Sequence, residues 1–301
     1  MSYTTDTGTV GIPLKRISAS TMPDSTTRTA NEYAILVDVS SCTGCKACEA
    51  ACVAWHKLTP PIAKPQELRK AGLSYASSPD LRPDLFMRMV YKEAKNGTGI
   101  DWFITKQQCL HCGDPGCLQA CPAPGAIVQY ANGVVDFDNE KCIGCKMCLV
   151  GCPFNIPRFD ANSKPSKCNF CIDRVAAGLI PACAKSCSTN ALHFGLRQDM
   201  LDRGKKIVAR LKERGYPGAT LYNPTGVGGT NYVYVLPHGG TAINMYAGLP
   251  ADPSVSLLVN LWKGPVKYLS AAAILGTFAA VLFHWVTIGP KTEDHEEKEG
   301  K

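Results

Sequence analysis

The sequence predicts an α+β chain: two units of one repeated cysteine-bearing fold, one inserted in the other, followed by a single C-terminal transmembrane helix. Three observations carry this. Sixteen cysteines fall in four groups of four, with none left over. The first and third groups share one spacing, and each follows a short β-rich run, so the chain repeats internally. Residues 268–289 read YLSAAAILGTFAAVLFHWVTIG, with no charge apart from a protonatable His284. With 301 residues, 45% hydrophobic and 19% charged, the chain can bury a core and is too apolar to be disordered throughout.

Residues 1–30, rich in Ser and Thr, are expected to form an extended N-terminal arm. They hold no apolar run and no twin-arginine pair, so no export signal is expected there. A strand at 34–39 (AILVDV) runs into the first group, Cys42, Cys45, Cys48 and Cys52. Fifty-six residues then separate Cys52 from Cys109, more than a connection needs. This insert carries Pro60, Pro61 and Pro65 and two expected strands, 85–91 and 102–106.

The second group is Cys109, Cys112, Cys117 and Cys121. After it, strands at 125–130 and 134–137 flank Ala131-Asn132-Gly133 and read as a hairpin. The second of these runs into the third group, Cys142, Cys145, Cys148 and Cys152. LVDVSSCTGCKAC at 36–48 thus parallels VVDFDNEKCIGCKMC at 134–148. The fourth group, Cys168, Cys171, Cys183 and Cys187, precedes a strand at 191–194, as the second precedes GAIV. Residues 198–215 form an amphipathic helix, with Leu201, Ile207, Val208 and Leu211 near helical spacing among basic residues. Gly226-Val227-Gly228-Gly229 has no Gly-Lys-Ser/Thr beside it, so it reads as a turn before a strand at 231–236 and not as a phosphate loop.

Disulfides, structural zinc and iron–sulfur clusters are the three chemistries open to sixteen cysteines. Disulfides do not favour one repeated short spacing, and structural zinc takes two pairs of ligands, often with His. The first and third groups read C-x2-C-x2-C-x3-C, the run of the bacterial two-cluster ferredoxins, whose fourth cysteine binds the neighbouring cluster. That fourth cysteine is expected to start a helix and point away. The crossing forces the groups to pair. Groups two and three, twenty residues apart across the hairpin, make one ferredoxin-like unit, which leaves groups one and four for the other. The expected ligand sets are Cys42, Cys45, Cys48 and Cys187; Cys52, Cys168, Cys171 and Cys183; Cys109, Cys112, Cys117 and Cys152; and Cys121, Cys142, Cys145 and Cys148. The alternative pairs first with second and third with fourth. In the preferred arrangement 31–108 with 158–200 is the first ferredoxin-like unit with its insert, and 109–157 is the second. Residues 201–264 are a connecting segment, 265–289 the transmembrane helix and 290–301 a charged tail.

Four [4Fe–4S] clusters with four cysteines each have no open iron, and no side-chain constellation performs bond chemistry. The chain is therefore expected to pass electrons and not to catalyse. Lys46 and Lys146 lie inside cluster loops, either as potential-raising cations or as plain surface charges. His56, His111 and His193 adjoin cluster segments; His111, between two ligands, is placed to hydrogen-bond a sulfur, and His193 to pack in a strand. The formal charge of +7 fits internal neutralisation of sixteen thiolates, and with no basic stripe interleaved with aromatics it does not point to nucleic acid. The apolar C-terminal stretch is long enough to cross a bilayer at about 1.5 Å per residue, and Trp262, Lys263, Lys267 and Trp285 flank it.

The chain resembles the iron–sulfur (beta) subunit of respiratory, membrane-bound formate dehydrogenases over nearly its whole length. The likeness is carried by LVDVSSCTGCKACEAACVAW at 36–55, CLHCGDPGCLQACPAPGAIVQYANGVVDF at 109–137, CIGCKMCLVGCPFNIPR at 142–158, YNPTGVGGTNYVYVL at 222–236, and LWKGPVK and FHWVTIGP around the span. Cys187 departs slightly: Ser-Thr-Asn follows it where Pro-Thr-Gly is more usual, which should change the loop and not the ligation. The resemblance implies a catalytic alpha subunit oxidising formate at a molybdenum or tungsten bis-pterin centre, a membrane gamma subunit with b-type haems, and quinone as acceptor. It implies a single-pass protein of the cell (inner) membrane, touching membrane lipid, with its soluble part periplasmic and its tail cytoplasmic; the charges beside the span do not decide the side. Ala272, Gly276 and Ala280 share one helix face, expected to pack on gamma. His284, one turn on, is expected to hydrogen-bond in that interface and not to ligate haem. The runner-up is the same electron-transfer role for another molybdoenzyme, such as dimethyl sulfoxide reductase, or for a hydrogenase.

Overall fold

A computed structural model describes residues 11–19, 27–70, 72, 75–97, 99–261 and 266–289. The chain forms two compact units, Met1–Ser256 and Leu257–Lys301.

In the first unit, β1 (Leu14–Ile17) and β2 (Tyr33–Asp38) lead to α1 (Ala47–Trp55) and α2 (Pro65–Lys70). A long hairpin follows, β3 (Met87–Asn96) and β4 (Gly99–Gln108), in register from Met87↔Gln108 to Asn96↔Gly99. Next come α3 (Gly116–Ala120), β5 (Ile127–Tyr130), β6 (Val135–Phe137), α4 (Met147–Val150) and a short hairpin of β7 (Arg158–Phe159) and β8 (Pro165–Ser166). The unit closes with α5 (Ile172–Ala176), α6 (Ala182–Lys185), β9 (Leu192–Leu196), α7 (Arg197–Glu213), β10 (Thr220–Tyr222), β11 (Tyr232–Leu236) and α8 (Gly239–Ala242).

The central sheet has the order β10-β11-β2-β9, with β11 parallel to β2 and the outer pairs antiparallel. Alternation along its two middle strands sorts side chains between two cores. Ala34, Leu36, Val233 and Val235 face α7 and pack on Met200, Ile207 and Leu211. Ile35, Val37, Tyr232, Tyr234 and Leu236 face the other way, into the core that holds most of the cysteines. The amphipathic helix is thus a cover for the sheet. A second sheet, β1-β5-β6, contains the expected hairpin.

Three features exceed the sequence reading. The N-terminal arm contributes β1, antiparallel to β5. The expected connecting segment supplies most of α7 and all of β10 and β11, and the two strands are part of the central sheet. The strand expected at 85–91 starts at Met87, because Leu85 is held in a bridge with Arg82. In the second unit, α9 (Leu257–Leu261) precedes α10 (Lys267–Ile288), an exposed apolar helix. Its segment Tyr268–Ile288, of mean hydropathy 1.9, is long and apolar enough to cross a membrane. Trp262, Lys263 and the charged tail lie outside the described residues.

Candidate metal centres

All four cysteine groups open with the same local turn. The residue two positions after the first cysteine has a left-handed backbone: Gly44 (φ +67), His111 (φ +49), Gly144 (φ +72) and Phe170 (φ +62). Each turns its N–H onto that cysteine, with Gly44 N to Cys42 Sγ at 3.4 Å, His111 N to Cys109 Sγ at 3.5 Å, Gly144 N to Cys142 Sγ at 3.4 Å and Phe170 N to Cys168 Sγ at 3.4 Å. Donors aimed at sulfur favour the anionic form and orient it. In the first and third groups Lys46 and Lys146 are left-handed too, and α1 and α4 start directly after them. The helix therefore begins one residue before the third cysteine and not at the fourth: the second left-handed residue ends the turn early.

The chain brings the thiols together in quartets. Cys42, Cys45, Cys48 and Cys187 line one cavity; Cys109, Cys112, Cys117 and Cys152 line a second; Cys121, Cys142, Cys145 and Cys148 line a third. Around the remaining four, Cys52 is within electrostatic reach of Cys168, Cys183 and Cys171, and the Tyr232 hydroxyl lies 3.7 Å from Cys168 Sγ and 3.8 Å from Cys183 Sγ. The thiols are free of disulfides. Among the described residues no three His, Cys, Asp or Glu side chains converge closely enough to hold a single metal ion. Three of the quartets line a cavity, which suits a polynuclear core better than one zinc ion.

Burial pushes most of these thiols up. Cys48 rises to about 12 by desolvation, Cys171 to about 12 by the same cause, and Cys52, Cys112 and Cys117 lie well above the ordinary thiol value by burial and then by neighbouring cysteines. Without a metal such sites hold neutral thiols, whereas an iron core makes them thiolates. Cys45 and Cys145 are exposed. Cys45 is lowered by the Ala47 N–H and the Ser188 hydroxyl.

The insert packs over the first cavity. Met89 and Ile104 line it, Met89 Sδ is 3.7 Å from Cys48 Sγ, and Glu49 Oε2 accepts the Met89 N–H at 2.9 Å, tying β3 to α1. The Tyr91 hydroxyl donates to the Gly44 carbonyl. In the second and third cavities α3 and α4 approach without side chains between them: a Cβ on Gly151 would lie 2.4 Å from the Gly116 carbonyl oxygen.

The histidines differ from expectation. The His111 ring makes no hydrogen bond to a sulfur among the described residues; its Nδ1 accepts the Val135 N–H at 3.0 Å, because the left-handed backbone turns the ring towards β6. Burial, then Lys167 and Lys106, hold it well below the usual imidazole range, so it is neutral. It is His56 that meets a sulfur, with Nε2 3.6 Å from Cys171 Sγ. His193 is half-buried in β9 and lowered by burial, a packed histidine as expected. Lys46 and Lys146 lie over aromatic rings, 5.8 Å from Tyr91 and 5.7 Å from Phe159.

Two buried lysines were missed by sequence reasoning. Lys106 lines the first cavity and Lys167 the second. Burial opposes the charge of Lys106, but Cys183, Cys48, Cys168 and Cys52 outweigh it and raise its affinity for the proton. Lys167 is raised in the same way against burial, by Cys109, Asp136 and Cys117. After Cys187, Asn190 takes φ +55, a conformation asparagine tolerates, and the Ala191 N–H still reaches Cys187 Sγ at 3.2 Å.

Comparison with known proteins gives two matches to models described as "4Fe-4S dicluster domain", over residues 41–126 and 100–197. A third, "Formate dehydrogenase N, transmembrane", covers 255–298. The "Formate dehydrogenase, nitrate-inducible, iron-sulfur subunit" of Escherichia coli K12 is 46% identical over 269 residues, 89% of each chain. The "Formate dehydrogenase iron-sulfur subunit" of Haemophilus influenzae is 44% identical over 277 residues, 90% of this chain and 87% of the relative. The "Hydrogenase-2 operon protein HybA" of Escherichia coli O157:H7 is 28% identical over 246 residues, 72% of this chain and 70% of the relative.

Proposed function

The chain belongs to the formate dehydrogenase iron–sulfur subunits, and from that premise we propose how its cysteines are used and what it connects. It is an iron–sulfur, electron-transfer subunit of an oxidoreductase complex, anchored in a membrane through one apolar helix. In the proposal it holds four [4Fe–4S] clusters, one per quartet: Cys42, Cys45, Cys48 and Cys187; Cys52, Cys168, Cys171 and Cys183; Cys109, Cys112, Cys117 and Cys152; and Cys121, Cys142, Cys145 and Cys148. The first two quartets belong to one ferredoxin-like unit and the last two to the other. The convergence of sixteen free thiols in four sets of four carries this reading.

Such a cluster supplies one-electron redox chemistry at a coordinatively closed iron core. The protein's own groups do the rest. N–H donors from the left-handed turns hold the first thiolate of each cysteine group, Cys42, Cys109, Cys142 and Cys168. Apolar walls, such as Val37, Leu192, Leu110 and Phe154, exclude water. Cys109 is close enough to Cys168 to raise its affinity for a proton, which supports a linear order with Cys45 and Cys145 exposed at its ends. Electrons would enter at one end from a formate-oxidising alpha subunit carrying a molybdenum or tungsten bis-pterin. They would leave at the other to a haem b gamma subunit and quinone. The soluble unit is proposed to be periplasmic and the C-terminal tail cytoplasmic.

The test is an anaerobic assay of iron and sulfide, with about sixteen of each expected at four per cubane. About half that number would refute the four-cluster assignment. The purified chain should pass electrons to artificial acceptors and oxidise no formate without its large subunit; turnover by the chain alone would overturn the division of labour. The identity of the co-purifying large subunit separates a formate dehydrogenase partner from a hydrogenase.

A further inference from the structure

Lys106 is 2% exposed, and its Nζ has no hydrogen-bond partner among the described residues. An ammonium carries three donors and is strongly hydrated, so burying it bare is costly unless negative charge surrounds it. The Tyr232 ring, 4.5 Å from Nζ, supplies a face but no acceptor. Anionic sulfur is what remains. The side chain lines the cavity of the Cys42 quartet, and its charge also acts on Cys52 and Cys168 of the next. Tyr232 beneath it touches both Cys168 and Cys183 through its hydroxyl. Lys106 therefore stands between two quartets with its donors unspent. Lys167 differs: it donates to the carbonyls of Val135 and Cys168 and neighbours Asp136.

We propose that Lys106 is the shared cation of the Cys42/Cys45/Cys48/Cys187 and Cys52/Cys168/Cys171/Cys183 sites, donating its free N–H groups to the sulfurs of the clusters they hold and raising both reduction potentials together. This rests on the ligand sets proposed above. Each added electron makes a cluster more negative, and a fixed cation in a low-dielectric space stabilises that state more than the oxidised one. One side chain then sets two neighbouring sites at once, as a positioning charge that neither binds iron nor accepts an electron.

The test uses the intact membrane complex, purified anaerobically with its partner subunits. Iron and sulfide are assayed, and each cluster is titrated by electron paramagnetic resonance, in the unsubstituted complex and in Lys106→Met, Lys106→Gln and Lys106→Arg. With iron content retained, the neutral variants should lower two potentials and leave the others in place. The expected size is about tenfold less reduced cluster at a fixed ambient potential, or about 59 mV for a one-electron couple. Lys106→Arg should restore most of the shift, which a role in packing alone would not explain. Unchanged potentials in a loaded neutral variant overturn the proposal, and so does an equal fall at every cluster. If neither neutral variant loads iron, the unsubstituted complex labelled with 15N-lysine decides. A nitrogen coupling to reduced clusters that survives Lys167→Met supports the proposal, and its absence overturns it. An unsubstituted complex with far fewer than about sixteen iron atoms would instead sink the ligand sets, a separate failure.

Discussion

His111 and Phe170 occupy the same position in two different cysteine groups, and their rings meet edge to face with centroids 5.1 Å apart. Both follow the first cysteine of their group by two residues, where the other two groups have Gly44 and Gly144. The two groups with an exposed second cysteine, Cys45 and Cys145, use glycine for the left-handed turn. The other two accept the steric cost of a side chain in that conformation, and their rings pack one turn against the other. Tyr232 completes the junction, edge to face with Phe170 at 5.2 Å.

Phe170→Gly should therefore leave the turn intact and remove the packing. Glycine adopts φ +62 freely and already serves at the matching position twice. Losing a buried Phe costs about 3–5 kcal/mol, which at about 2–4 °C per kcal/mol lowers the unfolding temperature by roughly 10 °C. Thermal unfolding followed under anaerobic conditions, with iron content measured in parallel, checks this. An unchanged unfolding temperature would show that the ring contact contributes little.

Gly151→Ala tests the contact between α3 and α4. The new Cβ would lie 2.4 Å from the Gly116 carbonyl oxygen and 2.7 Å from Ala120 Cβ, so the two helices must separate. Overpacking of this kind costs about 1–3 kcal/mol. Cys117 and Cys152 lie on or beside these helices, so iron should be lost first from the Cys109 and Cys121 quartets. Gly99→Ala, whose Cβ would meet nothing nearer than the Asn96 carbonyl at 3.7 Å, is the control and should match the parent in iron content.

Cys145→Ala should abolish one cluster signal and weaken that of the neighbouring quartet, because α3 and α4 carry residues of both. Iron should fall by at least about four atoms per chain, one cubane. Electron paramagnetic resonance of the reduced complex reads this directly. Four intact signals would mean that Cys145 is not a ligand.

The chemistry was legible because spacing is a local property. Cysteines two residues apart, with a fourth three further on, describe how one stretch of chain wraps a cluster, and the hairpin at Asn132-Gly133 is the reason to expect the second and third groups close together. What was not legible depends on long-range packing. Nothing around Lys106 marks it as buried, since its acidic surroundings come from Cys48, Cys52, Cys168 and Cys183, all more than fifty residues away in the chain. The parallel pairing of β11 with β2 joins segments nearly two hundred residues apart, so 201–264 reads as a connection although Tyr232 and Tyr234 pack in the core. His56 escaped as a sulfur neighbour because Cys171 reaches it from another group.

The membrane helix carries the last prediction. Ala272, Gly276 and Ala280 recur every four residues along α10 and share one face, and a Cβ built on Gly276 meets nothing within 4 Å. Thr277 and Thr287 satisfy their hydroxyls inside the helix, donating to the Ala273 and Phe283 carbonyls at 2.6 Å, so the polar groups on those turns need no outside partner. His284, one turn beyond Ala280 on the small-residue face, has a ring that is expensive in hydrocarbon without one. Small residues permit close helix approach where lipid supplies no hydrophobic drive, and a histidine at the end of that face would gain a hydrogen bond from the same neighbour. Gly276→Leu fills the face without changing its apolarity, so the helix should still enter the membrane and every cluster should remain. The expected outcome is loss of the membrane partner during detergent purification, with formate-to-quinone turnover falling while formate-to-dye turnover persists. An intact complex with normal quinone reduction would show that this face touches lipid and that the helix is an anchor alone.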